Sequence, residues 1–431
     1  IKKDVMKKIF LIIMLLIISS NNISQAQGIV QETQLLRPEA FYDYQNGNNI
    51  ILSNQQILKL NQSISQQQSA LCDLKNYQSI INKTALSNKI KSSSTILNEY
   101  DYLGSGLITT ALKNDIIAEL NLEKIPTEIK YGVTVRRTNI RTLPSAQGLY
   151  ESLKSTKFDY LQETVVDPGT AVVILHTSKN NQFYYIQTAD YSGWVATKNV
   201  AVATKSDWLK YLEPQDFMVV TANKKIINFN GEVLTYQMGA KIPLLKEEGS
   251  NKILMPYNKD GLNNYYLKLN NNDGLSEGYL PYTTNNIIKQ SFKMLGDVYG
   301  WGGLENSVDC SSFVQNIYKT FGINLPRNAD QQELSLQRHY YNAVTDSLKN
   351  ADINKLTKGS LLFMDGHVML YLGSINNEPY IIHALGSYSI RQGDGTMKKI
   401  PILKVVVSDL QLQRYSGKTF LTALTSGAEI K

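Results

Sequence analysis

Short runs of alternating apolar and polar residues fill the middle of the chain, and residues at helical spacing occupy its two ends. Ile57, Leu60 and Ile64 recur three and four apart, and Ile116, Ile117 and Leu120 cluster in the same way. This is the spacing of helices with one apolar face. From about Pro126 to Pro281 the period shortens to two. Val133–Pro144, Pro168–His176, Phe183–Thr188 and Gly193–Val195 predict one set of strands. Phe217–Thr221, Gln237–Leu244, Lys252–Pro256 and Gly278–Pro281 predict a second. Many short strands parted by turn residues predict small β-barrels. Helical spacing then returns. Asn285 to Leu295 carries Ile288, Phe292 and Leu295 on one face. Phe313, Val314, Ile317, Tyr318 and Phe321 lie between Asp309, a good N-cap, and Gly322, a stop. Leu361–Met364 and His367–Leu372 flank Asp365-Gly366 as a hairpin, and Tyr380–His383 predicts a third strand after the turn at Asn376–Pro379.

At 431 residues, 42% of them hydrophobic and 19% charged, the composition is that of a folded protein of two to four domains. Residues 30–125 are rich in Gln, Asn and Ser, yet their apolar positions recur, which favours a helical segment over disorder. Met6-Lys7-Lys8 precedes the apolar run Ile9–Ile18 and a polar stretch ending Ser24-Gln25-Ala26. Residues 1–26 are therefore expected to be an export signal, starting at Met6. The run is too short to span a bilayer comfortably, and no Cys follows it to take a lipid. The expected location is the periplasm or the outside of the cell, with membrane contact only during export. The formal net charge is +7, of which Lys2, Lys3, Lys7, Lys8 and Asp4 supply +3, leaving +4 beyond the signal. A basic exported chain is drawn to anionic surfaces such as cell wall. No Lys/Arg run with interleaved aromatics points to nucleic acid.

The candidate chemistry centres on Cys310. Tyr299-Gly-Trp-Gly-Gly303 must be a loop, because three glycines in five residues hold no regular element. Cys310 then falls in the first turn of an amphipathic helix, where the dipole and free N–H groups favour a thiolate and donate to an oxyanion. A thiol nucleophile needs a base, and the base needs a group to hold its ring. His367 and His383, placed on neighbouring strands, supply both. His176 and His339 lie in other contexts. Two alternatives exist on residue types alone. Cys72 and Cys310, the two cysteines of the chain, would suffice for one disulfide. One Cys with two His would also suit zinc, but no carboxylate completes that set at a familiar spacing, so no metal is expected.

With Leu325-Pro-Arg-Asn328, Gly359–Phe363, Gly366-His-Val and His383-Ala384 added, residues from about Thr283 to Ala423 resemble an NlpC-type cysteine peptidase domain. The resemblance implies an α+β fold. A permuted papain-like domain (283–425) would follow a helical stabilising segment (27–125) and two SH3-like barrels (126–210 and 211–282). The first barrel carries Arg137-Thr-Asn-Ile-Arg-Thr-Leu-Pro144 and Gly193-Trp-Val195 as local marks. The resemblance further implies Cys310 as nucleophile, His367 as base and His383 as its orienter. Tyr299 would line the oxyanion site, Trp301 would wall the pocket, and Asp309 and Ser311 would meet the substrate, Asp309 through a free amino group. Arg327 would meet a substrate carboxylate or pair within the fold. The first barrel would close one side of the groove with an aromatic or acidic residue.

The implied activity is hydrolysis of peptidoglycan stem peptides by a monomer that needs no cofactor. The bond would join D-γ-glutamate to a diamino acid, with L-Ala-γ-D-Glu released. Two other readings remain open at this stage: a catalytically silent wall-binding protein, and a thiol acyltransferase acting on lipids.

Overall fold

The computed structural model describes residues 28–68, 71–154, 156–229, 231–247, 250–269 and 272–431. The expected export signal lies outside them. Among the described residues no helix is long and apolar enough to cross a membrane.

Helix α1 (Asn54–Gln67) begins at a capping box in which Ser53 and Gln56 satisfy each other's backbone N–H. Its buried Ile57 and Ile64 join Phe41 and Leu52 in the core of the C-terminal region. Helices α2 (Lys83–Ser93) and α3 (Thr110–Glu119) pack elsewhere. Leu86, Ile90, Ile116 and Leu120 share a core with Val173, Leu175, Tyr185 and Trp194. The helical segment is thus divided between two partners, whereas the sequence predicts one continuous unit. Ile117 lies outside both cores and is exposed.

Seven antiparallel strands follow: β1 (Lys130–Thr134), β2 (Thr138–Arg141), β3 (Gln162–Val166), β4 (Ala171–Thr177), β5 (Phe183–Gln187), β6 (Ser192–Ala196) and β7 (Val200–Ala203). They pair in the order β7-β1-β4-β5-β6-β2-β3. The unbroken apolar run Ala171–Leu175 is explained by burial on both faces. Val173 and Leu175 meet α2 and α3, while Val172 and Ile174 meet Ile140, Ile186 and Val195. After α4 (Lys205–Leu212) comes a second all-β unit: β8 (Phe217–Val220), the hairpin β9 (Lys224–Phe229) and β10 (Glu232–Gln237), β11 (Lys241–Glu247), β12 (Ser250–Asn258), β13 (Leu262–Lys268) and β14 (Leu275–Glu277). Its larger sheet runs β13-β12-β11-β8-β14. Two expectations shift here. Gln237–Leu244 is not one strand, because Gly239 turns the chain at a φ of 82°. Gly278–Pro281 is not a strand either; the pairing residues are those of β14 just before it.

The C-terminal region opens with α5 (Thr284–Phe292), three residues shorter at its end than the spacing suggests, because the chain turns toward Gly296 at a φ of 86°. Helix α6 (Cys310–Lys319) follows the glycine loop. Then come α7 (Ala329–Leu334), β15 (Arg338–Tyr340), α8 (Asp346–Ile353), β16 (Leu361–Met364), β17 (His367–Ile375), β18 (Glu378–Arg391), β19 (Met397–Asp409), α9 (Phe420–Ala423) and β20 (Leu424–Ala428). The sheet order is β15-β20-β16-β17-β18-β19. Val368, Leu370 and Leu372 face α6 through Phe313, Val314 and Ile317. Met369 and Tyr371, on the opposite face, pack with Ile353 and Phe420. This is the alternation of a strand buried on both sides.

Candidate active site

Cys310 stands at the first position of α6. Asp309 is its N-cap: the carboxylate accepts the Ser312 N–H at 2.9 Å, and the Ser312 hydroxyl accepts the Asp309 N–H at 2.9 Å. Fixing these two residues fixes the sulfur between them. Cys310 is buried, and the N–H groups of Val368 and Ser311 reach it. Burial and the Asp309 carboxylate push its thiol up to about 12, against the opposing pull of those N–H groups and Arg327. The resting group is therefore a thiol, not the thiolate that the helix start alone suggests. Desolvation and a carboxylate at the neighbouring residue outweigh the helix dipole.

The hairpin predicted around Asp365-Gly366 forms with Met364 paired to His367. His367 and His383 lie on adjacent strands, β17 and β18, with His367 Nε2 2.8 Å from His383 Nδ1. Phe420 stands edge-on to both rings, with centroids 6.2 and 6.0 Å away. Burial and the positive charge of Arg414 lower the His367 pKa to about 4. Burial, then His367, lowers His383 well below its usual range. Both rings are neutral at physiological pH.

Asp309, Ser311 and Arg327 form a closed network. Arg327 donates from Nη1 and Nη2 to the two Asp309 oxygens at 3.1 and 2.6 Å, from Nη1 to Ser311 Oγ at 2.9 Å, and from Nε to Thr164 Oγ1 at 2.6 Å. All three residues are buried. Of the two roles expected for Arg327, the internal pairing is the one present, and it engages Nε, Nη1 and Nη2. Asp309 and Ser311 are both held by that pairing. Asp309 also accepts the Gly302 N–H at 3.1 Å. Burial alone would raise its pKa, but Arg327 and the Ser312 hydrogen bonds hold it below the usual carboxylate range. It serves as a permanent anion that caps α6 and anchors the glycine loop.

The glycine loop is gripped by the first β unit. Gln162 Nε2 donates to the Gly302 carbonyl at 2.8 Å, and Trp301 Nε1 donates to the Asp159 carbonyl at 3.0 Å. Asp159 is itself pinned by Arg141 at 2.9 Å and by the N–H groups of Leu149 and Leu161. The flanking Phe158 and Tyr160 are thereby fixed against Trp301, with ring centroids 5.5 and 6.1 Å away. Phe158 also reaches Tyr299, with ring centroids 6.3 Å apart. Trp301 is thus a joint between the two regions. Burial, with Cys310 and Asp309 beside it, raises the Tyr299 phenol, so it stays a protonated donor. Sequence reasoning missed Phe158 and Tyr160; their signal is an aromatic pair around a buried Asp in a loop.

Cys72 is half-buried and free, as is Cys310, so the disulfide alternative does not form here. Among the described residues no cluster of three or more metal-ligating side chains occurs. A cavity of about 730 Å³ lies where α1, both β units and α6 meet; it is lined by Ser312 and Arg327 but by none of Cys310, His367 and His383.

Residues 149–196 match a family model of an SH3 domain of the SH3b1 type, and residues 296–419 match the NlpC/P60 family. The chain is 31% identical over 98 residues to the bifunctional muramidase/DL-endopeptidase CwlT of Bacillus subtilis, a match spanning 20% of this chain and 26% of that relative. It thus spans about a quarter of that relative's length. Its fold is shared with an NlpC/P60 endopeptidase from Photobacterium damselae subsp. piscicida, at a TM-score of 0.76 and 17% identity, over 95% of this chain and 98% of the other. The chain carries an NlpC/P60 domain, of a peptidase family with cysteine catalysis, behind an SH3 domain.

Proposed function

We propose that this protein is an exported peptidoglycan hydrolase that cuts the bond between D-γ-glutamate and the diamino acid of a wall stem peptide, meso-diaminopimelate or lysine, and releases L-Ala-γ-D-Glu. The observation that carries the reading is the grouping of a helix-start thiol, a hydrogen-bonded imidazole pair and an aromatic wall that another domain completes through Phe158. The wall, Phe158 with Tyr299 and Trp301, shortens the groove on one side and favours a small peptide end over a long chain. The DL-endopeptidase named among the relatives supports the bond assignment, and the basic charge supports attraction to wall.

In the proposed reaction the Cys310 proton passes to His367 as the sulfur attacks the isopeptide carbonyl. A neutral thiol and a neutral imidazole make this transfer concerted with attack, since neither is charged beforehand. The helix-start N–H groups and the Tyr299 hydroxyl donate to the oxyanion. His367 then protonates the leaving amine, and water, deprotonated by the same ring, hydrolyses the thioester.

The test is incubation of the protein, and of Cys310→Ala, with L-Ala-γ-D-Glu-meso-diaminopimelate, read by mass spectrometry. L-Ala-γ-D-Glu from the wild type alone is expected. No product from the wild type, with sacculi also left intact, would overturn the hydrolase reading in favour of a wall-binding protein.

A further inference from the structure

The imidazole pair does not end at His383. Its Nε2 lies 3.1 Å from the hydroxyl of Ser408, which is fully buried on β19. That hydroxyl in turn donates to the Asp409 carbonyl at 2.9 Å. A serine hydroxyl has one proton. If it goes to the Asp409 carbonyl, the oxygen must accept from His383, so His383 carries its proton on Nε2. Its Nδ1 is then a bare acceptor, and the 2.8 Å contact is filled by the Nε2–H of His367. His367 Nδ1 is left without a proton, on the residue next to Val368, whose N–H reaches the sulfur. The reversed arrangement would have Ser408 donate to His383 and leave the Asp409 carbonyl without this donor. It would also put the proton on His367 Nδ1 and remove the base.

We propose that Ser408 is a positioning residue: through its hydrogen bond to the Asp409 carbonyl it sets the tautomer of His383, and through His383 that of His367. This rests on the reading of Cys310, His367 and His383 as the reactive set. When the Cys310 proton moves to His367 Nδ1, the ring becomes an imidazolium with both protons placed, Nδ1–H toward the sulfur and Nε2–H toward His383. No proton need move farther along the chain.

The acceptor residue is itself held. The Asp409 N–H donates to the Gly28 carbonyl at 2.8 Å, Ile29 bridges Ser408, and the Val30 N–H donates to the Val407 carbonyl at 3.0 Å. The segment Gly28–Val30 therefore lies along β19 at the point where Ser408 and Asp409 act.

The experiment uses the full chain labelled with [15N]histidine, four rings in all. Wild-type spectra are expected to show both His367 and His383 protonated at Nε2. A proton on Nδ1 of either ring overturns the proposal. Ser408→Ala is expected to shift His383 and His367 toward the Nδ1–H form. It should also slow iodoacetamide alkylation of Cys310 by about tenfold, the scale of one lost hydrogen bond to a charged group. Ser408→Thr, which keeps the hydroxyl, is expected to restore both readouts. A folded Ser408→Ala with unchanged tautomers and unchanged alkylation sinks the idea. Should that variant fail to fold, the wild-type tautomers decide alone. Neither readout uses stem peptide, so an error in the assigned substrate leaves this test standing.

Discussion

A thiol held near pKa 12 beside an imidazole held near 4 enters the reaction with no charge on either group. Thiolate is then the minor form across the neutral range, and its fraction grows about tenfold per pH unit below the thiol pKa. In a Cys72→Ser background, iodoacetamide alkylation of Cys310 is expected to rise steadily from pH 7 to 10. A rate already flat at pH 6 would mean a preformed thiolate–imidazolium pair. The acid limb of hydrolysis is expected near pH 4 rather than 6.5, because protonation of His367 is what removes the base. Arg327 supports a second prediction. Replacing it by Met leaves the Asp309 carboxylate buried without its partner, and loss of one member of such a pair costs about 3–5 kcal/mol. A urea titration of Arg327→Met should show that loss together with loss of activity; unchanged stability would mean that water or Thr164 replaces the guanidinium. The sequence shows Cys310, His367 and His383 because local rules place them: a cap, a hairpin turn and a strand end. It does not show what Arg327 or Ser408 does. Thr164 is 163 residues from Arg327, and Ser408 is 25 from His383, so only the folded sheet brings these partners together.

Among the elements, the glycine loop has the least freedom. Gly302 and Gly303 sit at φ values of 53° and 82°. A Cβ on Gly302 would lie 3.0 Å from the Gln162 carbonyl oxygen, and one on Gly303 would lie 2.6 Å from a Val165 methyl. Both clashes fall on β3 of the SH3-bearing unit, so the glycines are needed for contact between domains as well as for the turn. Gly302→Ala is expected to cost about 1–3 kcal/mol from the left-handed backbone alone and to loosen the grip of Gln162 on the loop. A thermal melt should fall, and KM for the tripeptide should rise as Phe158 and Trp301 lose their spacing. A variant with a lowered melting point but an unchanged KM would separate loop strain from groove shape. The loop itself is legible from three glycines in five residues. The strand it fits against is not, since period-two patterning gives the faces of a strand and says nothing about which loop it meets. The same limit explains Gln237–Leu244, where alternation continues through a turn that Gly239 makes.

At the scale of the whole chain, the regions share cores rather than touching at a surface. Helix α1 belongs to the core of the NlpC/P60 domain, α2 and α3 cover the sheet that includes the SH3 match, and Gln315 of α6 reaches Asp190 at 2.8 Å. One cooperative unfolding transition, coincident by tryptophan fluorescence and circular dichroism, is the expected consequence. Its pH dependence follows from the histidines. Burial lowers His176, His367 and His383 from an ordinary value of 6.5, His367 to about 4. On acidification the unfolded chain takes up protons at these rings near pH 6.5, while the folded chain keeps them neutral. Their contribution to stability is therefore fully present above pH 6.5 and is lost as pH falls toward 4. Each ring contributes a slope of at most about 1.4 kcal/mol per pH unit. Urea midpoints should be level from pH 8 to 7 and fall between 6.5 and 5, above the range in which most carboxylates titrate. Stability that holds or rises over that interval would mean that all three rings, His367 among them, take up protons in the folded state as readily as in the unfolded chain, and His367 would then be no base at rest.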